Sequence, residues 1–245
     1  MKSKLILLIT VSIFLSCMAR ESLAPLEPLN EYERAMSFFD DKQYQRAAEA
    51  FERILFYHPS SEYVDDAQFW LARAYLEMKE YAQAVIEFNY LIRNFPNTTL
   101  LEQAYFFRAK ANLMSAPSYE KDLSDLKKAI QLFDEFLTRF PNSEYTDDAR
   151  QEILTARNLL AKKELENGKL YEKLNEPDAA LLYYEYIRNN YPETESAGEA
   201  TYRSARIHEK RGESEEAVEL YRTLLEDENW KNKAADHIAD LEKEG

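Results

Sequence analysis

Four prolines, Pro59, Pro96, Pro141 and Pro192, sit in nearly superimposable surroundings, and this recurrence is the strongest constraint on what the chain can fold into. Twelve residues before each proline stands an alanine, Ala47, Ala84, Ala129 or Ala180. Eight before stands an aromatic, Phe51, Phe88, Phe133 or Tyr184. Two after comes a hydroxyl, Ser61, Thr98, Ser143 or Thr194, and eight after comes Ala67, Ala104, Ala149 or Ala200. Residues spaced like Ala47, Phe51 and Ile54 share one face of a helix. The alanine lets a neighbouring helix approach, and the aromatic fills the space beside it. Proline cannot continue the helix, and the hydroxyl beyond it is placed to accept from a free N–H of the next one. The acidic residues that follow, Glu62, Asp65 and Asp66 or Glu144, Asp147 and Asp148, suit a first helical turn, where the backbone dipole favours negative charge.

This alanine, aromatic and proline pattern resembles the tetratricopeptide repeat, a helix pair that covers its apolar face only by stacking on the next pair. The expected fold is all-α, a right-handed α-solenoid of about five such pairs over 31–41 and 44–57, 61–79 and 81–94, 98–115 and 121–139, 144–175 and 177–190, and 194–211 and 214–227. The fifth pair lacks its proline but keeps Ala205, Ala217, Tyr221 and Leu224. A capping helix is expected from Trp230 to Leu241, covering the last apolar edge with Ala234, Ile238 and Leu241. The spacing between prolines grows along the chain, which places insertions at the loop 115–122 around Pro117 and in the helix before Pro177. Only four glycines and 31% charged residues agree with an all-helical array.

Residues 1–16 carry Lys2 and Lys4 and then the apolar run 5–15, a secretory signal pattern too short for a membrane span. The sole cysteine, Cys17, follows at once, and the arrangement resembles a bacterial lipoprotein signal in which Cys17 is acylated. The competing reading is an ordinary cleaved signal with an incidental cysteine. With Met18 rather than aspartate next, the lipoprotein resemblance implies the outer membrane, with the chain facing the periplasm. Residues 17–30, with Pro25 and Pro28, read as a tether, residues 31–140 as repeats 1–3, and residues 141–245 as repeats 4 and 5 with the cap. Removing the signal leaves 29 basic against 45 acidic residues, a formal net of −16, which repels nucleic acid.

Aligning the first helices of repeats 1–3 gives three registers: Tyr32, Phe69 and Phe106; Met36, Arg73 and Lys110; Phe39, Leu76 and Leu113. In tetratricopeptide arrays these positions face the concave groove. The expectation is a groove for an extended peptide with aromatic side chains and a free carboxylate. The alternative, that the apolar members pack one repeat on the next, stays open at this stage. In repeats 4 and 5 the registers read Leu165, Lys169, Glu172 and Tyr202, Arg206, Glu209, so the two halves are expected to bind different things.

Several stretches resemble the BamD family, the lipoprotein of the bacterial β-barrel assembly machinery: Pro28-Leu29-Asn30-Glu31, the run from Phe140 to Ala149, Leu160-Ala161-Lys162-Lys163-Glu164, and Tyr191-Pro192-Glu193-Thr194. The resemblance implies a non-enzymatic role in which N-terminal repeats receive the C-terminal segments of unfolded outer-membrane barrels. It implies that the C-terminal repeats dock onto a BamA-type barrel protein, and other assembly lipoproteins are possible partners. Arg157, Lys162, Lys163 and Lys173 are the candidate docking cations, with a solvated helix face as the plainer reading. Another tetratricopeptide lipoprotein, serving cell-wall synthesis or the Tol–Pal system, is the alternative. Catalysis and cofactors are not expected: His58, His208 and His237 fall in different repeats without metal-ligand spacing, and no glycine-rich phosphate loop exists. His58 takes the aromatic slot before its proline and is expected to pack there.

Overall fold

A computed structural model describes residues 25–115 and 123–244; the signal sequence, Cys17 and most of the 115–122 loop lie outside them. Eleven α-helices are found among the described residues, and consecutive helices pack as antiparallel pairs. The pairs are α1 (Pro28–Asp40) with α2 (Tyr44–Tyr57), α3 (Val64–Glu77) with α4 (Tyr81–Asn94), and α5 (Leu101–Ser115) with α6 (Ser124–Arg139). They continue with α7 (Thr146–Lys173) and α8 (Pro177–Asn190), then α9 (Glu195–Lys210) and α10 (Ser214–Thr223), and close with α11 (Lys231–Glu244). The five tetratricopeptide-like pairs and cap expected from the repeats are therefore present.

The repeating alanines and aromatics are the core. Ala47, Ala84, Ala129, Ala180 and Ala217 are fully buried, and so are Phe51, Phe88, Phe133, Tyr184 and Tyr221. Ala67, Ala104, Ala149 and Ala200, on the following helices, are equally sealed. Burying an aromatic of this size is worth roughly 1.5–3 kcal/mol, and each repeat supplies its own.

The turn within a pair has a feature that the repeats alone did not suggest. Lys42, Lys79, Asn175 and Gly212 hold corresponding positions, and all have positive φ, between 58° and 74°. Each ends its helix in a Schellman arrangement: Gln43 N–H donates to the Phe38 carbonyl at 2.8 Å, Glu80 to Tyr75 at 2.9 Å, Glu176 to Tyr171 at 2.9 Å and Glu213 to His208 at 3.0 Å. Asparagine and glycine tolerate this conformation, while the two lysines adopt it at a cost of about 1 kcal/mol.

Between pairs, the hydroxyls after the prolines behave in two ways. Thr98 Oγ1 accepts from Leu100 N–H at 3.2 Å and Ser143 Oγ from Tyr145 N–H at 3.0 Å, so these two do receive a backbone proton at the turn. Thr194 instead donates to the Tyr191 carbonyl at 2.7 Å, and Ser61 Oγ has no hydrogen-bond partner. The helices start three residues after the hydroxyl in the first three cases because Pro-x-Ser/Thr folds as a turn first.

Two boundaries differ from expectation. The tether does not extend to residue 30: α1 begins at Pro28, whose missing N–H costs nothing in the first turn. His58, expected to pack as an aromatic, joins its ring Nε2 to the Leu26 carbonyl at 2.8 Å and so fixes the chain just before α1. Glu31 is fully buried, bonded to Arg34, to Arg53 at 2.6 Å and to the Leu26 N–H at 3.4 Å.

The second insertion makes α7 twice the length of its counterparts, about 42 Å at 1.5 Å per residue. Its first half packs on α6 and α5, its second on α8 and α9. Gly168 in the second half lies directly under the Tyr184 ring, where a Cβ would overlap the ring carbons. Gly168→Ala should therefore destabilise the fold by about 1–2 kcal/mol, overpacking outweighing the gain in helix propensity; urea or thermal unfolding of the full array measures it.

Candidate functional site

The odd-numbered helices meet along one face of the array, α3 with α5, α5 with α7 and α7 with α9, and this inner face is where the predicted groove residues fall. The structure separates them. Phe69 is 0% exposed, Phe106 is 3% and Leu76 is 6%, so these three are not groove residues. Phe69 packs edge-on against Phe88 and Phe107, and Phe106 sits among Phe133, Phe136 and Tyr145. Their register points between helix pairs rather than out of the face, and the packing alternative holds for them.

Tyr32, Met36, Phe39 and Leu113 are half-buried and contribute to the cores of their repeats as well as to the face. Tyr32 stacks on Tyr63 at 5.3 Å, and its phenol is pushed up to about 12 by burial and by the nearby Asp66 carboxylate. Asp66 is itself raised by burial and by Asp65.

The aromatic rungs that do line the open face are one residue further along. Trp70 lies edge-on to Phe39 at 4.9 Å, and Arg73 caps the Phe107 ring at 3.9 Å with Trp70 on its other side at 5.9 Å. Trp70, Phe107 and Tyr145 are each only partly buried. Tyr145 stacks on Phe106 at 4.8 Å as Tyr63 does on Tyr32, and Trp230 repeats the stack on Tyr202 at 4.7 Å. Tyr63 and Tyr145 both stand four residues after a proline, and Trp70 and Phe107 both follow a ladder phenylalanine. Those two coincidences were the available signal for these rungs.

The two cations of the face already have partners. Arg73 pairs with Glu77 at 3.4 Å and Lys110 with Glu152 at 3.2 Å, both at partly exposed positions. Such pairs are worth about 0–1 kcal/mol, so a ligand carboxylate exchanges one weak partner for another and gains little.

In repeats 4 and 5 the inner face is occupied by the protein's own ions. Lys169 bonds Glu166 at 3.2 Å and Glu199 at 2.8 Å; Arg203 bonds Glu199 at 2.8 Å and Glu172 at 2.7 Å. Burial works against the Glu199 carboxylate, but the hydrogen bonds from Lys169 and Arg203 prevail and hold it below its ordinary value of 4.5. Glu172 and Glu209, which break the apolar register, also accept hydrogen bonds from the buried Tyr184 and Tyr221 phenols at 2.5 Å and 2.7 Å. Both phenols are raised by burial first and then by these bonds. The switch from leucine to glutamate thus accompanies the switch from phenylalanine to tyrosine eight residues before the proline position. It satisfies an internal hydroxyl and is not in itself a sign of a different ligand.

Of the candidate docking cations, Arg157 is committed internally. It pairs with Glu193, donates to the Asn190 carbonyl at 2.6 Å and lies over the Tyr191 ring at 5.1 Å, clamping the α8–α9 turn to α7. Contrary to the expectation of a docking residue, Arg157 holds the fold together at this turn. Lys162 and Lys173 are exposed on α7 and, eleven residues apart, share a helix face; Lys163 is half-buried. Among the described residues no group of three or more His, Cys, Asp or Glu side chains is placed to hold a metal ion, and no helix is long and apolar enough to cross a membrane.

Residues 26–223 match the YfiO family, described as outer membrane lipoprotein. The chain belongs to this family. It is 28% identical over 206 residues to the outer membrane protein assembly factor BamD of Rickettsia prowazekii (strain Madrid E), covering 81% of this chain and 78% of that one. The factor of the same name from Vibrio cholerae serotype O1 is 25% identical over 115 residues, 47% of either chain. The BamD resemblance read from the sequence agrees with both. Among solved structures, the TPR2AB-domain:pHSP90 complex of yeast Sti1 superposes with a TM-score of 0.51 at 17% identity, covering 89% of this chain and 83% of that one, a likeness of fold alone.

Two outcomes test this account of the inner face. Glu172→Ala should cost about 1–3 kcal/mol by stranding the Tyr184 hydroxyl, whereas Glu172→Leu combined with Tyr184→Phe, the pattern of repeat 2, should recover most of the loss in denaturant unfolding. Because the folded Glu199 carboxyl is depressed, its contribution is present above its ordinary value and is lost as pH falls through the depressed one. Between about pH 5 and about pH 3, the wild-type melting temperature should drop further than that of Glu199→Gln.

Proposed function

We propose that this chain is a non-enzymatic scaffold in outer-membrane protein assembly, held to the outer membrane by acylated Cys17 and facing the periplasm. Repeats 1–3, residues 31–140, receive an extended C-terminal segment of an unfolded β-barrel. Repeats 4 and 5 with the cap, residues 141–245, dock onto a BamA-type barrel protein and leave room for other assembly lipoproteins. Family membership and relatives named as assembly factors support the setting. The observation that carries the receptor reading is the partly open rung of Trp70, Arg73, Phe107 and Tyr145 on the inner face.

The chemistry of this rung favours aromatic side chains over a terminal charge. A peptide aromatic can stack beside Trp70 or Phe107, the two rings that the Arg73 guanidinium already bridges. Its carboxylate must displace Glu77 or Glu152 from the cation. On the docking side, the shared face of Lys162 and Lys173 on α7 suits an acidic partner surface, where exposed charge sets association rate and orientation.

Trp70→Ala together with Phe107→Ala should weaken binding of a barrel C-terminal peptide at least tenfold, about 1.4 kcal/mol, in fluorescence anisotropy. Amidating the peptide should cost no more than about threefold. Unchanged affinity in the double variant sinks the receptor reading, and a larger effect of amidation than of the aromatic substitutions would return the weight to Arg73 and Lys110.

A further inference from the structure

The N-terminal end of the array carries an apolar surface that repeat packing does not require. Phe56 is 77% exposed, and Tyr57, Leu26 and Leu29 are exposed as well. In the later repeats the positions three and two residues before the proline hold Arg93 and Asn94, Thr138 and Arg139, and Asn189 and Asn190. The first repeat alone has an aromatic pair there.

Leu26 and Leu29 lie where the tether enters α1, and Phe56 and Tyr57 lie at the end of α2 that is bonded to it. The Phe56 and Tyr57 rings meet edge to face at 4.8 Å, and the Arg53 guanidinium lies over Tyr57 at 5.5 Å while bonding the buried Glu31. Glu31 accepts from the Leu26 N–H, and His58, next to Tyr57, is bonded to the Leu26 carbonyl. The end of the tether is thus fastened to the residues that carry the patch. Leu26 lies nine residues after Cys17, so even fully extended chain spans no more than about 30 Å between them.

We propose that Phe56, Tyr57, Leu26 and Leu29 form a lipid-contacting surface that rests on the headgroup and upper acyl region of the membrane in which Cys17 is anchored. This rests on the acyl anchor proposed above. An amphipathic aromatic with a phenol tip, an adjacent phenylalanine and an arginine at their edge are the residue types that settle at a membrane interface. The tether supplies the second requirement, since one end of the molecule is kept within reach of the bilayer and insertion becomes an intramolecular event. Lipid contact at this end, together with the buried Glu31 clamp, gives the first repeat a fixed attitude to the membrane, where an acyl anchor on a loose chain would leave it free to turn.

The test is photocrosslinking in the full-length protein expressed with its own signal, with p-benzoylphenylalanine replacing Phe56, and Leu182, 67% exposed on α8, as the control position. The expected result is phospholipid adducts at position 56 and none at 182, read by mass spectrometry. Protein adducts only, no adduct at 56, or equal lipid adducts at both positions would overturn the proposal. The mass of the mature N-terminus, measured in the same sample, judges the anchor separately. An acylated chain without lipid adducts at 56 rejects the patch and keeps the anchor; an unacylated chain rejects the anchor, and the adduct at 56 still decides the patch.

Discussion

Where one helix of a pair presents an alanine, the next can approach closely enough for an aromatic one turn later to be enclosed, and this contact recurs through the whole array. Ala47 with Phe51, Ala84 with Phe88, Ala129 with Phe133, Ala180 with Tyr184 and Ala217 with Tyr221 are all shut off from solvent. No single pair can enclose its aromatic alone, because the other side of the core is supplied by the alanine eight residues past the proline, on the following pair. Stability is therefore a sum over neighbours. The last pair needs a terminal cover, which α11 provides with Ala234 buried and Ile238 and Leu241 packed on the same cluster.

Local periodicity explains what could be read from the sequence. Helix pairs, their order, the cap and the alanine and aromatic core all follow from spacings within a few turns of helix, and these appear where expected. The groove was harder to read because facing out and facing the next pair differ by about one residue of register, and spacing alone does not choose between them. Phe69 and Trp70 are adjacent, yet one is sealed and the other half open. The partnerships of Arg157, Glu172 and Glu209 are not legible in spacing for a different reason: they depend on which side chains meet across a turn, Glu172 with Tyr184 and Glu209 with Tyr221 inside a pair, and Arg157 with Glu193 between pairs.

The tyrosines show how one substitution spreads to its neighbours. A phenol at the enclosed aromatic position needs an acceptor, which Glu172 and Glu209 supply in place of the apolar side chains of repeats 1–3. A carboxylate on a partly buried face then needs cations, and Arg203, Lys169 and His237 lie against it or its neighbours. The result is an inner face in repeats 4 and 5 whose charges are answered internally. A charged ligand would have to break several bonds to bind there. The aromatic face of repeats 2 and 3, by contrast, presents rings whose burial is incomplete.

The two faces are not independent, because α7 belongs to both. Glu152 in its first half receives Lys110 from α5; Glu172 and Lys169 in its second half engage Arg203 and Glu199 of α9; Arg157 between them clamps the α8–α9 turn.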